Sequence, residues 1–409
     1  MSILARSALL VILALQTAFP SWSPAPSTSD NCQEGMQSSG ALYLICMPEN
    51  RPWNGDLVIY AHGYVAFNEP IQIPDLTLTD GTYIPDLVNA LGYAFATTSY
   101  STNGLAVLEG IDDVRDLVGV FGSAIAEPDT VYLVGASEGG LVTTLAVEGY
   151  PIDFQGGLAL CGPIGDFRQQ VDYWGDFRVI WDIFFPGVIP GGPMDIPPEV
   201  IDQWDSVYEP AVSEAISQKK AAAAQLIHVT GASIDPKVPS SVDETVTGLL
   251  WYNVFATNDG VAKLGGLPFD NARRIYTGSR DDLRLNRQVE RFEADPAALD
   301  EIEAHYQTSG ELVSPLVTLH TTGDPIIPYW QVNLYKAKVA ASGSQSLFAH
   351  IPVRRYGHCE FKTSEVLVGF ALLVRKVTGT ELKGAEEVLA DEESRHAFIE
   401  EAREYGAID

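Results

Sequence analysis

The chain has few cations, and this scarcity limits its partners. Only 25 of its 409 residues are Lys or Arg, against 54 Asp or Glu, so the formal net charge is −29. A surface this acidic repels nucleic acid and anionic membranes, and neither is expected as a partner. The charge has two open interpretations: it keeps the protein in solution, or it attracts a cationic or polymeric substrate.

Metal and cofactor motifs are missing as well. The sequence has no His-Glu-x-x-His and no paired Cys-x-x-Cys, and no phosphate or dinucleotide loop occurs at a strand–helix turn. We therefore expect no metal ion and no cofactor.

Hydrophobic residues make up 46% of the chain, enough for a large core with a sizeable insertion.

Long apolar runs are also scarce. The run over residues 7–15, after Arg6, is too short to cross a bilayer, but a lone basic residue before a short apolar stretch is typical of an export signal. We predict a signal peptide over residues 1–25 and a secreted or periplasmic protein without membrane contact in its mature form. A retained amino-terminal anchor is the alternative.

One motif stands out from the rest of the chain. The apolar run that begins at Val131 leads into Gly135-x-Ser137-x-Gly139, and small residues typical of a helix start follow. A strand, a sharp turn and a helix would place the serine hydroxyl at the carboxyl end of a sheet, beside the positive end of the helix. The bare pattern is common by chance, so its partners elsewhere in the chain decide its meaning.

Those partners occur in the expected order. A buried strand runs into His62-Gly63-Tyr64, and the backbone N–H groups of Tyr64 and Glu138 are the expected donors to an oxyanion. Further on, one strand is followed by Asp324 and a later strand by His358, 34 positions beyond. That spacing accommodates one helix and one strand.

As a set, these motifs resemble those of serine hydrolases of the α/β-hydrolase superfamily. The resemblance implies an α/β fold with a mostly parallel central sheet flanked by helices, built from residues 55–164 and 311–378. It also implies that Ser137 is the nucleophile, that His358 is its base, and that Asp324 orients the base. In such a fold the helical, aromatic-rich segment between the two core parts is a cap inserted after the sixth strand.

The predicted cap, residues 165–310, contains aromatic residues that have two interpretations. Most are expected to pack in the core of the cap, whereas Phe167, Tyr173 and Trp174 lie close to the strand before it and are candidates for lining a substrate pocket. After the second core segment, the sequence of the acidic tail over residues 379–409 predicts a solvated helix pair packed loosely on the domain, to which no chemistry is assigned.

The four cysteines of an exported chain suggest two disulfides. Cys32 and Cys46 flank a predicted hairpin within an amino-terminal segment over residues 26–54 and are expected to pair. The Gly-His-Cys at 357–359 resembles secreted feruloyl esterases and tannases, in which a cysteine beside the serine is bridged to the one after the histidine. Ala136 stands beside the serine here, so Cys161, which ends a neighbouring strand, is the expected partner of Cys359; two buried thiols are the alternative.

The leading functional hypothesis is an exported serine esterase that acts through an acyl-enzyme. The resemblance to feruloyl esterases and tannases and the aromatic cap point to aromatic or polymeric esters. One alternative is a peptidase or amidase of the prolyl-oligopeptidase type, although we expect no propeller before Asp56. A second alternative is a catalytically silent binding protein on the same scaffold.

Overall fold

The computed structural model describes residues 31–409, so the predicted signal peptide and the first residues of the linker lie outside it. Within this range a single eight-stranded sheet forms the centre of the molecule. Its strands are β1 (Cys32–Met36), β2 (Leu42–Cys46), β3 (Asp56–Ala61), β4 (Ala94–Thr98), β5 (Thr130–Ala136), β6 (Gly156–Leu160), β7 (Leu316–Gly323) and β8 (Phe348–Tyr356). Their order is β1-β2-β4-β3-β5-β6-β7-β8; β1 and β2 run antiparallel to their neighbours, and the other pairs are parallel.

Helices cover both faces of the sheet and form the insertion. In the described part of the chain they are α1 (Ile84–Ala90), α2 (Val107–Ala124), α3 (Glu138–Gly149), α4 (Phe167–Phe184), α5 (Pro198–Asp202), α6 (Glu209–Gln218), α7 (Lys220–Thr230), α8 (Ser241–Lys263), α9 (Asp282–Gln288), α10 (Pro296–His305), α11 (Trp330–Ser342), α12 (Thr363–Thr378) and α13 (Glu392–Glu404). One turn of π-helix precedes α6, and one short 3₁₀ helix precedes β8.

The central strands are buried on both faces, as their apolar sequences require. Every residue of β4 and of β6 is buried. On one face of the sheet, side chains of α1, α12 and α13 form a continuous apolar cluster, and on the other face α2, α3 and α11 form a second. Parallel strands covered by helices on both sides have continuous apolar sequences rather than alternating ones. The carboxyl ends of these strands meet at one edge, where the serine turn lies.

The predicted insertion after the sixth strand is confirmed. Helices α4–α10 all lie between β6 and β7, and they have an apolar core of their own. Its largest fully buried side chains are Trp181 and Trp204, so most of the aromatic residues stabilise the insertion itself. We refer to α4–α10 and their connections as the cap.

The acidic tail differs from the expected helix pair. It contains one helix, α13, because Gly379 ends α12 in a left-handed conformation and the residues before α13 form turns. Phe398 and Ala402 of α13 are buried, as are Leu382 and Leu389 before it, and all four join the core cluster beneath α12. The tail therefore packs on the domain through buried apolar side chains.

Membrane-spanning helices are not found in the described range. None of the helices in residues 31–409 combines the length and the apolar character that a bilayer crossing requires.

Candidate active site

Ser137 occupies a strained turn between β5 and α3. Its backbone angles are φ 57° and ψ −121°, a conformation that L-residues rarely adopt, and its side chain is largely buried. The turn depends on a close approach of the chain at Gly139, where a Cβ atom would overlap the carbonyl oxygens of Ala61 and His62. The sequence therefore folds here into a turn that points the hydroxyl out of the sheet edge.

The serine, histidine and aspartate that the motifs predicted are brought together by the fold. The His358 Nε2 atom lies 2.9 Å from the Ser137 Oγ atom. The His358 Nδ1 atom lies 2.7 Å from Oδ2 of Asp324. Hydrogen bonds therefore connect the Ser137 hydroxyl to the Asp324 carboxylate through the imidazole of His358. With Nδ1–H donating to Asp324, Nε2 is free to accept the serine proton.

Asp324 is completely buried and is held by two backbone donors. Its Oδ1 accepts hydrogen bonds from the N–H groups of Ile326 and Ile327, each at 2.9 Å, which leaves Oδ2 for His358. A second histidine, His320, lies with Nε2 3.5 Å from Oδ2 and 2.7 Å from the carbonyl oxygen of Ile327. Burial lowers the pKa of His320, so this imidazole adds no competing positive charge beside the carboxylate.

The predicted oxyanion donors border the serine. Gly63 packs so closely that an added Cβ would lie 3.1 Å from the Cβ of Ser137. Among residues 31–409, no hydrogen bond uses the backbone N–H of Tyr64 or that of Glu138, so both can donate to an added group. The phenol of Tyr64 donates to the carbonyl of Phe255 on α8 at 3.0 Å and thereby ties this loop to the cap.

Both cysteine pairs of the described range form disulfides. Cys32 is bonded to Cys46 across the β1–β2 hairpin, and Cys161 is bonded to Cys359. The second bridge joins the end of β6 to the loop of His358, and the Cys359 sulfur lies 3.5 Å from Nε2 of His358. Although both sulfurs and that nitrogen lie close enough together for metal coordination, the sulfurs are bonded to each other and cannot act as thiolate ligands.

A cavity of about 90 Å³ opens beside Ser137, between the sheet edge and the cap. Phe167 and Trp174, two of the three residues predicted to line a pocket, are part of its wall. Tyr173 is not among the described lining residues; it is buried and donates its hydroxyl to the carbonyl of Pro325 at 2.8 Å. Trp174 Nε1 likewise donates to the carbonyl oxygen of Ile326 at 3.1 Å. The two hydrogen bonds fix the turn that follows Asp324.

Two side chains at the site were not singled out from the sequence. Tyr252 on α8 stacks on Trp174 with ring centroids 5.1 Å apart. Burial raises the pKa of its phenol, and a hydrogen bond with Ser137 acts in the opposite direction. Glu138 borders the cavity and its side chain is buried, whereas the motif indicated a role only for its backbone. Neither carried a local signal, because contacts between parts of the chain that are distant in sequence decide both positions.

Comparison with known proteins gives weak similarities of fold only. No family model and no curated protein sequence matches the chain. Among solved structures, it is similar to feruloyl esterase B from Aspergillus oryzae, with 14% identity, a TM-score of 0.43 and coverage of 87% of this chain and 89% of that one. It is also similar to Est1E from Butyrivibrio proteoclasticus, with 13% identity, a TM-score of 0.35 and coverage of 91% and 99%.

A peptidase is among the similar structures as well. The acylaminoacyl peptidase of Pyrococcus horikoshii is 11% identical with a TM-score of 0.45; the match covers 88% of this chain, which spans only 44% of the peptidase. The identities and TM-scores of these similar structures do not separate an esterase from a peptidase.

The strand order, the serine turn after β5 and the helical insertion after β6 give the chain the α/β-hydrolase fold.

Proposed function

We propose that this chain is an exported serine hydrolase that cleaves carboxylic esters. The observation that carries the proposal is the hydrogen-bonded chain from Ser137 through His358 to Asp324 at the carboxyl edge of the sheet. A serine hydroxyl is a poor nucleophile at neutral pH and needs an adjacent base, which His358 supplies at 2.9 Å.

The first half-reaction forms an acyl-enzyme. As the Ser137 oxygen bonds to the ester carbonyl carbon, its proton passes to Nε2 of His358, and Asp324 stabilises the resulting imidazolium. The carbonyl oxygen becomes negative and accepts hydrogen bonds from the N–H groups of Tyr64 and Glu138. The carbon–oxygen bond to the alcohol then breaks, and the alcohol leaves with the proton held by His358.

The second half-reaction releases the acid. A water molecule gives its proton to His358 as its oxygen attacks the acyl carbon, and the same two N–H groups stabilise the second oxyanion. The bond to Ser137 then breaks, and its oxygen recovers the proton from the imidazole. No redox change and no cofactor enters either step.

Export is supported by the two disulfides. Bridges such as Cys32–Cys46 and Cys161–Cys359 persist in secreted and periplasmic proteins and are rare in a reducing cytosol. The predicted signal over residues 1–25 lies outside the described residues. Expression of the full chain with analysis of its amino terminus in the medium or periplasm tests this part of the proposal.

The ester preference is tested against the peptidase alternative with matched substrates. We expect purified protein to hydrolyse an acyl nitrophenyl ester with a much higher kcat/KM than the nitroanilide of the same acyl group, because an amide carbonyl is less reactive toward the serine oxygen and its amine is a poorer leaving group. Comparable rates on the two substrates would replace the esterase proposal by the amidase one.

The bridge beside His358 gives a further prediction, with the other disulfide as its matched control. Replacing Cys161 and Cys359 together by Ser is expected to lower kcat by about 10- to 100-fold, because the histidine loop loses its tether and small misplacements of a catalytic group are costly. Replacing Cys32 and Cys46 by Ser should cost stability, about 3 kcal/mol for a bridge closing a loop of this size, while kcat stays unchanged. Equal kcat values for both double variants would rule out the tethering role.

A further inference from the structure

A tyrosine of the cap contacts the serine of the sheet edge. Tyr252 lies on α8, within the cap, and Ser137 lies at the turn after β5, yet both border the same cavity. The phenol of Tyr252 forms a hydrogen bond with the side chain of Ser137. The serine hydroxyl therefore has two partners, this phenol and the imidazole of His358. Neither half-reaction of the proposed mechanism gives the phenol a role.

The directions of these two hydrogen bonds follow from the protons available. Nδ1–H of His358 donates to Asp324, so Nε2 is an acceptor and takes the single hydroxyl proton of Ser137. The Ser137 oxygen can then only accept from Tyr252. Burial raises the pKa of Tyr252, so the phenol keeps its proton at neutral pH and is able to donate it.

Aromatic neighbours hold the ring of Tyr252 in place. The ring stacks on Trp174 with an interplanar angle of 8°, and Trp251 packs against it edge to face with centroids 5.0 Å apart. The ring of Tyr64 lies 5.8 Å away between centroids, and the Tyr64 phenol is bonded to the carbonyl oxygen of Phe255, three residues further along α8. Because these ring contacts do not use the Tyr252 hydroxyl, the phenol is a preorganised donor beside the serine.

The phenol lies on the side of the expected oxyanion donors. The ring of Tyr252 contacts that of Tyr64, and the cavity that it borders is also bordered by Glu138. Among residues 31–409, His358 does not border this cavity and has no hydrogen bond with Tyr252. The leaving alcohol receives its proton from Nε2 of His358 and must lie beside the imidazole. The carbonyl oxygen of the ester is therefore the substrate atom closest to the phenol.

Attack on the ester changes which oxygen is the better acceptor. In the tetrahedral intermediate, the Ser137 oxygen and the former carbonyl oxygen are bonded to the same carbon atom, so a donor that contacts one reaches the other after a small rotation. The serine oxygen has given a lone pair to the new bond, and the other oxygen carries the negative charge. A hydrogen bond to a charged acceptor is about twice as strong as one between neutral groups. The phenol thus stabilises the intermediate more than the free enzyme, as catalysis requires.

We propose that Tyr252 is a catalytic residue supplied by the cap: its O–H turns from the Ser137 oxygen to the oxyanion and acts as a third donor beside the two backbone N–H groups. The inference rests on the proposed esterase function and adds a residue to the same site. The phenol keeps its proton throughout, and the serine proton still passes to His358. Because both half-reactions form an oxyanion, the phenol acts in each of them.

Tyr252→Phe removes the hydroxyl and keeps the aromatic ring. For nitrophenyl butyrate we expect kcat to fall about 10- to 100-fold, while KM stays within about a factor of two, because the contact is strongest in the transition state. Loss of one oxyanion donor lowers kcat by about 10²- to 10³-fold in another hydrolase, and the two N–H groups that remain here moderate the effect. The measurement is the steady-state rate of the purified variant.

A second cap tyrosine provides the matched control. The phenol of Tyr276 donates to Oδ1 of Asp176 at 2.6 Å and accepts from Nδ2 of Asn271 at 3.1 Å. Within residues 31–409, Tyr276 is not part of the cavity wall. Tyr276→Phe should lower the melting temperature and leave kcat at the wild-type value. Equal losses of kcat in the two variants would indicate a weakened cap and would overturn the assignment of Tyr252.

Two ketones of the same chain length distinguish an oxyanion contact from a general loss of binding. Ser137 adds to the carbonyl carbon of an alkyl trifluoromethyl ketone, its proton passes to His358, and the ketone oxygen becomes an oxyanion. The matching methyl ketone is too weak an electrophile to form this adduct and binds without a covalent bond. We expect Tyr252→Phe to raise the inhibition constant of the trifluoromethyl ketone about 10- to 100-fold, in proportion to the loss of kcat/KM, and to leave that of the methyl ketone unchanged.

The outcomes separate this inference from the proposed function. If Tyr252→Phe hydrolysed the ester as fast as the wild type, or faster, the donor role would be overturned and the esterase proposal would stand. An equal weakening of both ketones would have the same consequence. A wild type that neither hydrolyses nitrophenyl esters nor forms the adduct with the trifluoromethyl ketone would overturn the esterase proposal, and the role of Tyr252 with it.

Discussion

Replacing Ser137 by Ala is expected to reduce kcat for nitrophenyl ester hydrolysis by about 10⁴- to 10⁶-fold. The variant loses the oxygen that attacks the carbonyl, while the oxyanion donors and the cavity remain and retain a small residual acceleration. The positive φ at this turn is no more strained in the variant, because alanine and serine carry the same Cβ atom. The measurement is the steady-state rate of the purified variant after subtraction of spontaneous hydrolysis.

A serine far from the sheet edge serves as the matched control. Ser217, at the exposed end of α6, donates its hydroxyl to the carbonyl of Glu214 in the same helix, and among residues 31–409 its side chain makes no other hydrogen bond. Ser217→Ala should keep the wild-type rate. If Ser137→Ala retained more than a few per cent of the wild-type kcat, another nucleophile would have to be sought, and a complete absence of hydrolysis in the wild type would favour the silent binding protein.

Asp324→Asn is expected to lower kcat by about 10⁴-fold, an effect known for the equivalent change in a serine protease. Two N–H groups, those of Ile326 and Ile327, donate to Oδ1 and require an acceptor there. The asparagine carbonyl must therefore keep that place, and its NH₂ faces Nδ1 of His358. The imidazole then accepts at Nδ1 and carries its proton on Nε2, where it cannot take the proton of Ser137.

The loss should come from the wrong tautomer rather than from unfolding. Asp281→Asn makes the same chemical change at an exposed helix N-cap, where Asn and Asp are equally suitable, and should alter neither kcat nor the melting temperature. Nuclear magnetic resonance of the imidazole protons of His358 should show the proton on Nδ1 in the wild type and on Nε2 in Asp324→Asn. An unchanged kcat would exclude Asp324 as the acid of this site.

The sequence predicted the fold because its signals are local and repeated. Apolar runs such as β4 and β6, alternating with helices, indicate a parallel sheet, and loops after successive strands necessarily meet at one edge of it. Ser137, Asp324 and His358 each follow a strand, so topology alone predicts their proximity. Their catalytic roles remain predictions that the variants above test.

Side-chain placements set by long-range packing could not be predicted in the same way. The sequence around Tyr252 indicates only an aromatic stretch in a helix, and the stacking of that ring over Trp174 depends on how α8 crosses α4. Glu138 begins α3, where an acid is common and normally exposed, but here it is buried and accepts a hydrogen bond from the N–H of Ala106, 32 positions earlier in the chain. In the tail, the apolar residues, Phe398 among them, are visible in the sequence, but their burial beneath α12 depends on long-range packing.

The central claim is that Ser137 becomes covalently acylated, and mass spectrometry after reaction with a fluorophosphonate tests it most directly. The account predicts one phosphonyl group per chain, located by peptide mapping on Ser137, with loss of ester hydrolysis in proportion to labelling and no label on Ser137→Ala. A protein that hydrolyses esters while Ser137 stays unmodified, or that carries the label on a different residue, would contradict the account.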